Sequence, residues 1–360
     1  MKIYMLLCLA WLCGGIGVNA ADVPKPTEAK TGDYTTTFTE RNPLSASTEL
    51  LRRLANLKGP EYKLGDESYD ISVPASYKPG APYGLLVFIN SADNGNCPGE
   101  YKPLLESQRL IYIGGNKCGN DQPTVKRIGM ALDAVTNMKK IYNIDPERVY
   151  VTGISGGGRA TSFCAPAYPD VFNGALYLCG CNPPIAKPSV EWLERMKALN
   201  GFVFLTGDKD MNLQDTKNVF AAYGKAKFQR TMLLQVPDMG HAIPPTDWLK
   251  KGIIFLDQPL IVAAITLEKQ ALDLQKREKF GQALKAFYKV AAHAGEDPAG
   301  KDATEQIAVI EKKRDELLAQ AQQLIDGGKK SEAVTLLGKM IRDFDDAAGN
   351  AKELMKTAQK

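Results

Sequence analysis

The sequence predicts an α/β fold, in which a mostly parallel sheet carries helices on both faces, followed by an all-helical region. Short apolar runs typical of buried strands alternate with longer stretches in which apolar residues recur at helical spacing. This alternation stops near residue 259, where Leu, Ala, Lys, Glu and Gln become dominant. The chain of 360 residues is also long for a single hydrophobic core, since such cores stop growing near roughly 250–300 residues.

The strand and helix signals follow one another in regular order. Gly84–Ile89 is a continuous apolar run, as expected of a central strand, and Val125–Tyr142 has apolar residues at helical spacing. Further strands are predicted over 67–73, 110–113, 148–152, 174–179, 201–206 and 232–236, and further helices over 159–167, 189–199 and 247–256. We expect the last of these helices to close the α/β domain.

Composition divides the chain into four segments. Residues 1–20 are predicted to be a signal peptide, and residues 21–45, rich in Thr, Pro, Lys and Ser, a linker. Residues 46–258 form the predicted α/β domain, and residues 259–360 the helical domain.

The N-terminus has the features of an export signal. Lys2 precedes an apolar stretch from Met5 to Val18, and Val18-Asn19-Ala20 is a small-residue cleavage pattern. The stretch is short and rich in glycine for a bilayer span, so we prefer cleavage to an uncleaved membrane anchor. We therefore expect a secreted or periplasmic protein without stable membrane insertion.

The helical region contains a weak internal repeat. Residues 271–284 recur as residues 321–334, an offset of 50 residues, with Ala283 and Ala333 at matching positions. The period exceeds that of the usual two-helix repeats, so we expect a helix pair separated by a third helix. The region resembles a degenerate tetratricopeptide-like array, which makes residues 259–360 a candidate surface for a protein partner, with carbohydrate or the chain's own α/β domain as the alternatives.

Charge and cysteine content exclude some functions. The net charge is +4 without a dense basic block, which argues against nucleic-acid binding. Cys179 and Cys181 lack a nearby His or second Cys pair, so we expect no metal site there. After export, the odd count of five cysteines permits two disulfides and one free thiol, and the loops of Cys97 and Cys118 are candidates to meet. The five are Cys97, Cys118, Cys164, Cys179 and Cys181.

Ser155 is the candidate nucleophile. It lies in Gly153-Ile154-Ser155-Gly156-Gly157, between a predicted strand and a predicted helix, where the chain must reverse sharply and expose the serine oxygen. Side chains two residues before and after the serine would collide in such a turn, and both positions are glycine. The alternative is a glycine-rich phosphate loop, but no P-loop lysine follows and the G-x-G-x-x-G spacing is absent.

His241 is the candidate base. The chain has two histidines, and His293 lies in the helical region, where we assign it to the surface or to packing. His241 follows a predicted strand, so its loop is expected to reach the edge of the sheet where Ser155 projects. Between Asp208 and Asp210, which follow the strand at 201–206, we choose Asp210 to orient the imidazole. Asp208 is expected to cap the turn.

These residues resemble those of secreted α/β-hydrolase esterases. The run from Asp145 to Gly158, the segment Tyr168–Phe172, Asp210 and Gly240-His241 are similar to polyhydroxybutyrate depolymerases, feruloyl esterases and acetylxylan esterases. The resemblance covers roughly residues 60–257 and is specific in the serine turn. It implies an α/β-hydrolase fold, a Ser-Asp-His triad, ester hydrolysis through an acyl-enzyme, and no cofactor.

The loop after the strand at 84–89 departs from this family. The His-Gly that often helps to form the oxyanion hole is replaced by Asn90-Ser-Ala-Asp-Asn-Gly95. Since the chemistry needs only backbone N–H groups, we expect Ser91 or Ala92 to act beside Gly156. The positive end of the helix that begins at Gly156 would add to the same site.

The sequence therefore predicts a serine esterase whose substrate is a carboxylic ester. Only residues 180–200 are available for a lid, so an open site suited to bulky or polymeric esters is expected. A serine peptidase of related fold is one alternative, although such enzymes usually carry a large extra domain. A second alternative is a non-catalytic binding protein. A third is a protein whose helical tail is the main functional part.

Overall fold

A computed structural model describes residues 29–54, 62–183 and 190–359. It confirms the predicted α/β class: one eight-stranded sheet has the order β1-β2-β4-β3-β5-β6-β7-β8, with helices on both faces. The strands are β1 (Gly32–Thr37), β2 (Ser68–Val73), β3 (Tyr83–Ile89), β4 (Leu110–Gly115), β5 (Ile144–Ile154), β6 (Gly174–Leu178), β7 (Gly201–Gly207) and β8 (Thr231–Val236). The predicted signal peptide, residues 1–20, lies outside the described residues.

Eleven α-helices are described. They are α1 (Ser47–Leu54), α2 (Lys102–Ser107), α3 (Thr124–Ile141), α4 (Gly156–Ala167), α5 (Val190–Leu199), α6 (Leu213–Lys225), α7 (Thr246–Lys276), α8 (Phe280–Ala294), α9 (Pro298–Asp326), α10 (Lys330–Phe344) and α11 (Ala351–Ala358). Within the described ranges, no helix combines the length and apolar composition that a bilayer span requires.

The six neighbouring strands from β4 to β8 have their carboxyl ends at the same edge of the sheet. From β4 to β8 neighbouring strands are parallel, whereas β2 is antiparallel to both of its neighbours, β1 and β4. Alternate side chains of β3 enter two separate cores: Leu85 and Val87 pack with α3, whereas Leu86 and Phe88 pack with α2 and the first half of α7. Burial on both faces explains the continuous apolar run of β3.

The predicted linker, residues 21–45, is wrong for its described part. Residues 32–37 form β1, which pairs along its length with β2. The threonine run is polar because this edge strand is largely exposed, and β-branched residues favour extended backbone. Tyr34 fixes the strand to the domain through a 2.6 Å hydrogen bond between its hydroxyl and that of Tyr142.

The predicted end of the domain at residue 258 falls inside a helix. α7 continues through Pro259 as one helix of 31 residues, although proline removes the N–H that would bond to Phe255 O. Arg230 compensates, because its Nη2 donates to Phe255 O at 2.8 Å and to Leu256 O at 3.0 Å. The α/β domain and the helical region are therefore joined by a continuous helix.

The helical region repeats as the sequence indicates, but without a separate third helix. The connections before α8 and α10 match, with Lys279 N–H donating to Leu274 O and Lys329 N–H donating to Leu324 O. Ala283 and Ala333 are both fully buried at their helix crossings. The second half of the 29-residue α9 begins the second unit, which produces the 50-residue period. The tetratricopeptide-like classification stays a prediction.

The helical region packs against the amino-terminal ends of the parallel strands. His293 on α8 bonds to Asp145 at the start of β5, and Lys289 pairs with Glu147 at 2.8 Å. Lys78, before β3, pairs with Glu311 on α9 at 3.0 Å. His293 is thus a buried contact between the two regions, not a surface residue.

The expectation of disulfides, with Cys97 and Cys118 as a candidate pair, is wrong. All five cysteines of the described residues are free thiols. Cys118 is buried in the core on the α3 face of the sheet, whereas Cys97 packs against the core on the opposite face. The sheet itself keeps the two sulfur atoms apart.

Candidate active site

Three side chains selected from the sequence meet at the carboxyl edge of the sheet. Ser155 follows β5, Asp210 follows β7, and His241 follows β8. His241 Nε2 lies 2.8 Å from Ser155 Oγ, and its Nδ1 lies 2.8 Å from Asp210 Oδ1. With the proton on Nδ1, the imidazole donates to Asp210 and accepts the hydroxyl hydrogen of Ser155.

The turn at Ser155 is strained in the way that its glycines suggest. Ser155 has φ 56° and ψ −120°, a combination that costs a non-glycine residue about 1–3 kcal/mol. A Cβ on Gly153 would lie 2.7 Å from the carbonyl carbon of Gly157, and one on Gly157 would lie 1.9 Å from Ile89 O. Ser155 N–H donates to Leu178 O at 2.8 Å, which anchors the turn to β6.

Asp210 is buried and hydrogen-bonded on both carboxylate oxygens. Oδ2 accepts from Thr206 Oγ1 at 2.7 Å, and Oδ1 accepts from Asn212 N–H at 3.0 Å as well as from His241. Burial alone would raise the pKa of Asp210, but these hydrogen bonds and one from Cys179 outweigh it and hold the pKa below its ordinary value. Asp210 is therefore ionised and suited to stabilise a protonated imidazole.

Asp208, the rejected alternative, is exposed on the turn after β7 and makes no contact with His241 among those described. Its backbone N–H donates to Val236 O at 3.0 Å, which ties the turn to β8. Asp208 therefore faces solvent, whereas Asp210 contacts the imidazole of His241.

Cys179 is a neighbour of the site that sequence reasoning considered only for metal and disulfide chemistry. It follows β6 with φ 53°, and its thiol lies 3.3 Å from Ala242 O, the residue after His241. Ligand atoms of Cys179, Asp210 and His241 lie within 4.8 Å of one another, as do those of Asp145, Glu147 and His293. In both groups the histidine and aspartate already bond to each other. The sequence signal was the position of Cys179 at a strand end.

The predicted oxyanion donors belong to the serine turn and to the loop after β3, which begins next to that turn. Gly156 begins α4, so its N–H belongs to the first turn and has no acceptor within the helix. Ser91 and Ala92 lie on the loop after β3. The last residue of β3, Ile89, packs against Gly157 of the serine turn. Ala92 N–H donates to Asn90 Oδ1 at 3.3 Å, which favours Ser91 over Ala92 as the second donor.

The loop that lacks the family His-Gly is held by side chains of its own. Asn90 Nδ2 donates to Asn94 O at 2.8 Å and closes the loop. Arg127, on α3, donates from Nη2 to Asn90 O at 2.6 Å, and burial lowers the pKa of its guanidinium. This loop therefore has a defined conformation next to the serine turn without a His-Gly pair.

Comparisons with known proteins find esterases among the similar chains. No protein-family model matches the chain. A 46-residue segment is 54% identical to poly(3-hydroxyalkanoate) depolymerase C of Paucimonas lemoignei, a match that spans 13% of this chain and 11% of that protein. The esterase Est1E of Butyrivibrio proteoclasticus has 12% identity and a TM-score of 0.40, over 52% of this chain and 91% of its own. S-formylglutathione hydrolase of Staphylococcus aureus has 11% identity and a TM-score of 0.43, over 64% and 99%.

Proposed function

We propose that this protein is a serine hydrolase that cleaves carboxylic esters through an acyl-enzyme. The observation that carries the proposal is the continuous hydrogen-bonded row Ser155–His241–Asp210, with both distances 2.8 Å, on three different strand ends. Such a row activates a hydroxyl that is otherwise a poor nucleophile at neutral pH. The match to a polyester depolymerase over 46 residues supports ester chemistry.

In the first step Ser155 Oγ attacks the ester carbonyl carbon while its proton passes to His241 Nε2. Negative charge develops on the carbonyl oxygen, and the backbone N–H groups of Gly156 and Ser91 stabilise it. Asp210 stabilises the imidazolium through Nδ1–H. When the C–O bond to the alcohol breaks, His241 returns the proton to the leaving oxygen.

The second step repeats the first with water. His241 takes a proton from a water molecule as its oxygen attacks the acyl carbon, and the same backbone donors stabilise the second oxyanion. The bond to Ser155 Oγ then breaks, and the proton on Nε2 returns to the serine. The acid is released and no cofactor is consumed.

We propose bulky or polymeric esters as substrates. The connection between β6 and β7, where a lid is often inserted, contains the ten-residue α5 and little further sequence. The depolymerase that matches the 46-residue segment is named for a polymer substrate. An open site admits a chain that extends beyond the cleaved bond on both sides.

We also propose that the protein is exported and that its helical region binds a protein partner. The helical region packs at the amino-terminal ends of the strands, where His293 contacts Asp145. Asp145 lies near the start of β5, ten residues before Ser155, which follows the end of that strand. At about 3.3 Å per residue this is a separation of about 30 Å. A partner bound to α10 and α11 would therefore leave the site open.

The experiment that tests the enzymatic proposal compares wild type with Ser155→Ala. Purified protein is assayed on acetylated sugars, hydroxycinnamoyl esters, polyhydroxyalkanoates and peptides, and an active-site fluorophosphonate is used to label it. We expect ester turnover and labelling in the wild type and neither in Ser155→Ala.

Turnover of peptides in preference to esters would replace the esterase with the peptidase alternative. Failure of the fluorophosphonate to label the wild type would favour a non-catalytic binding protein. Ester turnover that survives in Ser155→Ala would reject Ser155 as nucleophile.

A further inference from the structure

The oxyanion loop is bonded to a second loop, residues 116–120, which follows β4. Asn120 N–H donates to Ser91 O at 2.9 Å, and Lys117 N–H donates to Asp93 O at 2.8 Å. Asp93 Oδ1 also accepts Gly119 N–H at 2.9 Å, and Asn116 Oδ1 accepts Gly95 N–H at 2.8 Å. Four hydrogen bonds thus align the two loops along the edge of the site.

The side chain of Asn120 lies against the serine turn. A Cβ placed on Gly156 would lie 2.0 Å from Asn120 Oδ1 and 2.9 Å from Nδ2, so the carboxamide occupies the space in which a side chain at 156 would stand. Asn120 is nevertheless exposed, so a substrate reaches it. Among the described residues, Asn120 makes a hydrogen bond through its backbone N–H and none through its carboxamide. The carboxamide can therefore bond to a ligand.

We propose that Asn120 is a further catalytic residue, whose Nδ2 donates to the carbonyl oxygen of the substrate in the transition state. This inference rests on the proposed function. Asn120 contacts both residues that carry the predicted oxyanion donors, because its N–H bonds to the carbonyl oxygen of Ser91 and its carboxamide lies against the α-carbon of Gly156. An oxyanion bound by the N–H of Gly156 would therefore lie near the Asn120 carboxamide.

The chemistry of the amide selects the donor. A carboxamide carries an acceptor oxygen and a two-hydrogen donor nitrogen on one carbon, so rotation about Cβ–Cγ presents either of them to Gly156. Negative charge on the carbonyl oxygen attracts the nitrogen and repels the oxygen. Because the charge exists only in the transition state, the hydrogen bond strengthens there and accelerates the reaction.

The test compares Asn120→Ala and Asn120→Asp with Lys117→Ala, an exposed control on the same loop. We measure kcat and KM on an ester, the inhibition constant of a trifluoromethyl ketone that forms an oxyanion on Ser155, and the melting temperature. Asn120→Ala is expected to lower kcat about 100-fold, within the range found for single oxyanion donors. It should weaken the ketone by a similar factor and leave KM and the melting temperature unchanged. Asn120→Asp should lose more, because it adds negative charge.

Three results would overturn the inference. One is a folded Asn120→Ala with kcat equal to that of Lys117→Ala. Another is a loss confined to KM with unchanged ketone inhibition, which indicates ground-state binding. The third is a loss of kcat that follows a lowered melting temperature, which indicates a structural role. An active Asn120→Ala beside an inactive Ser155→Ala rejects Asn120 alone, whereas a wild type that neither turns over esters nor binds the ketone rejects the proposed function with it.

Discussion

His293 Nε2 lies 2.6 Å from Asp145 Oδ2, and both residues are less than 5% exposed. The bond joins α8 of the helical region to the start of β5, the strand that Ser155 follows. The neighbouring pair Lys289–Glu147 is half-exposed at 2.8 Å. The helical region is therefore built onto the α/β domain by a buried polar contact.

Loss of either partner is expected to destabilise the whole protein. In His293→Ala or Asp145→Ala the remaining polar group stays buried without its partner, and breaking a buried pair in this way costs about 3–5 kcal/mol. Lys289→Ala is the control, since exposed pairs contribute at most about 1 kcal/mol. The free energy of unfolding in urea measures both. Equal, small effects in all three variants would contradict the structural role of the buried pair.

The same pair predicts a dependence of stability on acid pH. Burial alone would raise the pKa of Asp145. The hydrogen bond and charge of His293 and the N–H of Glu147 outweigh burial, so the pKa lies below that of an unfolded aspartate. The contribution of a group with a lowered pKa is present above the unfolded pKa, about 3.9, and is lost as the pH falls through the folded value. The unfolding free energy of the wild type should fall more steeply below about pH 4 than that of Asp145→Asn. Parallel curves for the two proteins would exclude Asp145 as a source of acid lability.

Local patterns predicted the parts of the site that local geometry determines. The glycines around Ser155 indicated a tight turn, because the clash they avoid involves neighbours in sequence. Asp210 could be chosen over Asp208 because one turn presents only one of them to the sheet edge. Asn120 was missed, because nothing near it in the sequence indicates that its loop returns to Gly156.

Contacts between distant segments explain the errors. Residues 32–37 were assigned to a linker because an exposed edge strand has no apolar face to detect, and its order depends on β2. α7 was expected to end at Leu256, but the Phe255 carbonyl oxygen that Pro259 leaves without its N–H partner accepts a hydrogen bond from Arg230, which directly precedes β8. For His293 the sequence left the surface and packing as alternatives, because its buried partner Asp145 lies 148 positions earlier in the chain.

Removal of residues 259–360 is expected to prevent folding of the α/β domain. The cut exposes the apolar surface under α8 and leaves Asp145 without His293, at a cost of about 3–5 kcal/mol. A chain that ends at Gly327 lacks only α10 and α11, and should retain wild-type kcat/KM because the contacts of α8 and α9 with the sheet remain. Soluble yield, circular dichroism and ester turnover of the two truncations decide the matter. A folded, active chain ending at residue 258 would show that the helical region is dispensable.

Stability is expected to be insensitive to reductant, since the five described cysteines are free. Burial raises the pKa of Cys97 and of Cys118 to about 12 each, so both thiols should react slowly with iodoacetamide at pH 8 in the folded state. Thiol titration in denaturant without reduction should detect every cysteine of the purified chain. Fewer thiols before than after reduction would reveal a disulfide, and mass spectrometry would then identify it. The measured mass of the purified protein also shows whether residues 1–20 have been removed.

The two aspartates of the turn after β7 provide a matched test of the triad. Asp210→Asn keeps the size of the side chain but no longer holds the proton on His241 Nδ1, and an equivalent change in a serine triad lowers kcat about 10⁴-fold. Asp208→Asn, two residues away and exposed, is expected to leave kcat near the wild-type value. The melting temperature of each variant is measured beside kcat, because Asp210→Asn replaces an oxygen that accepts hydrogen bonds with a nitrogen that donates them. Comparable losses of kcat in the two variants, or none in Asp210→Asn, would mean that the 2.8 Å contact between Asp210 and His241 has no catalytic role.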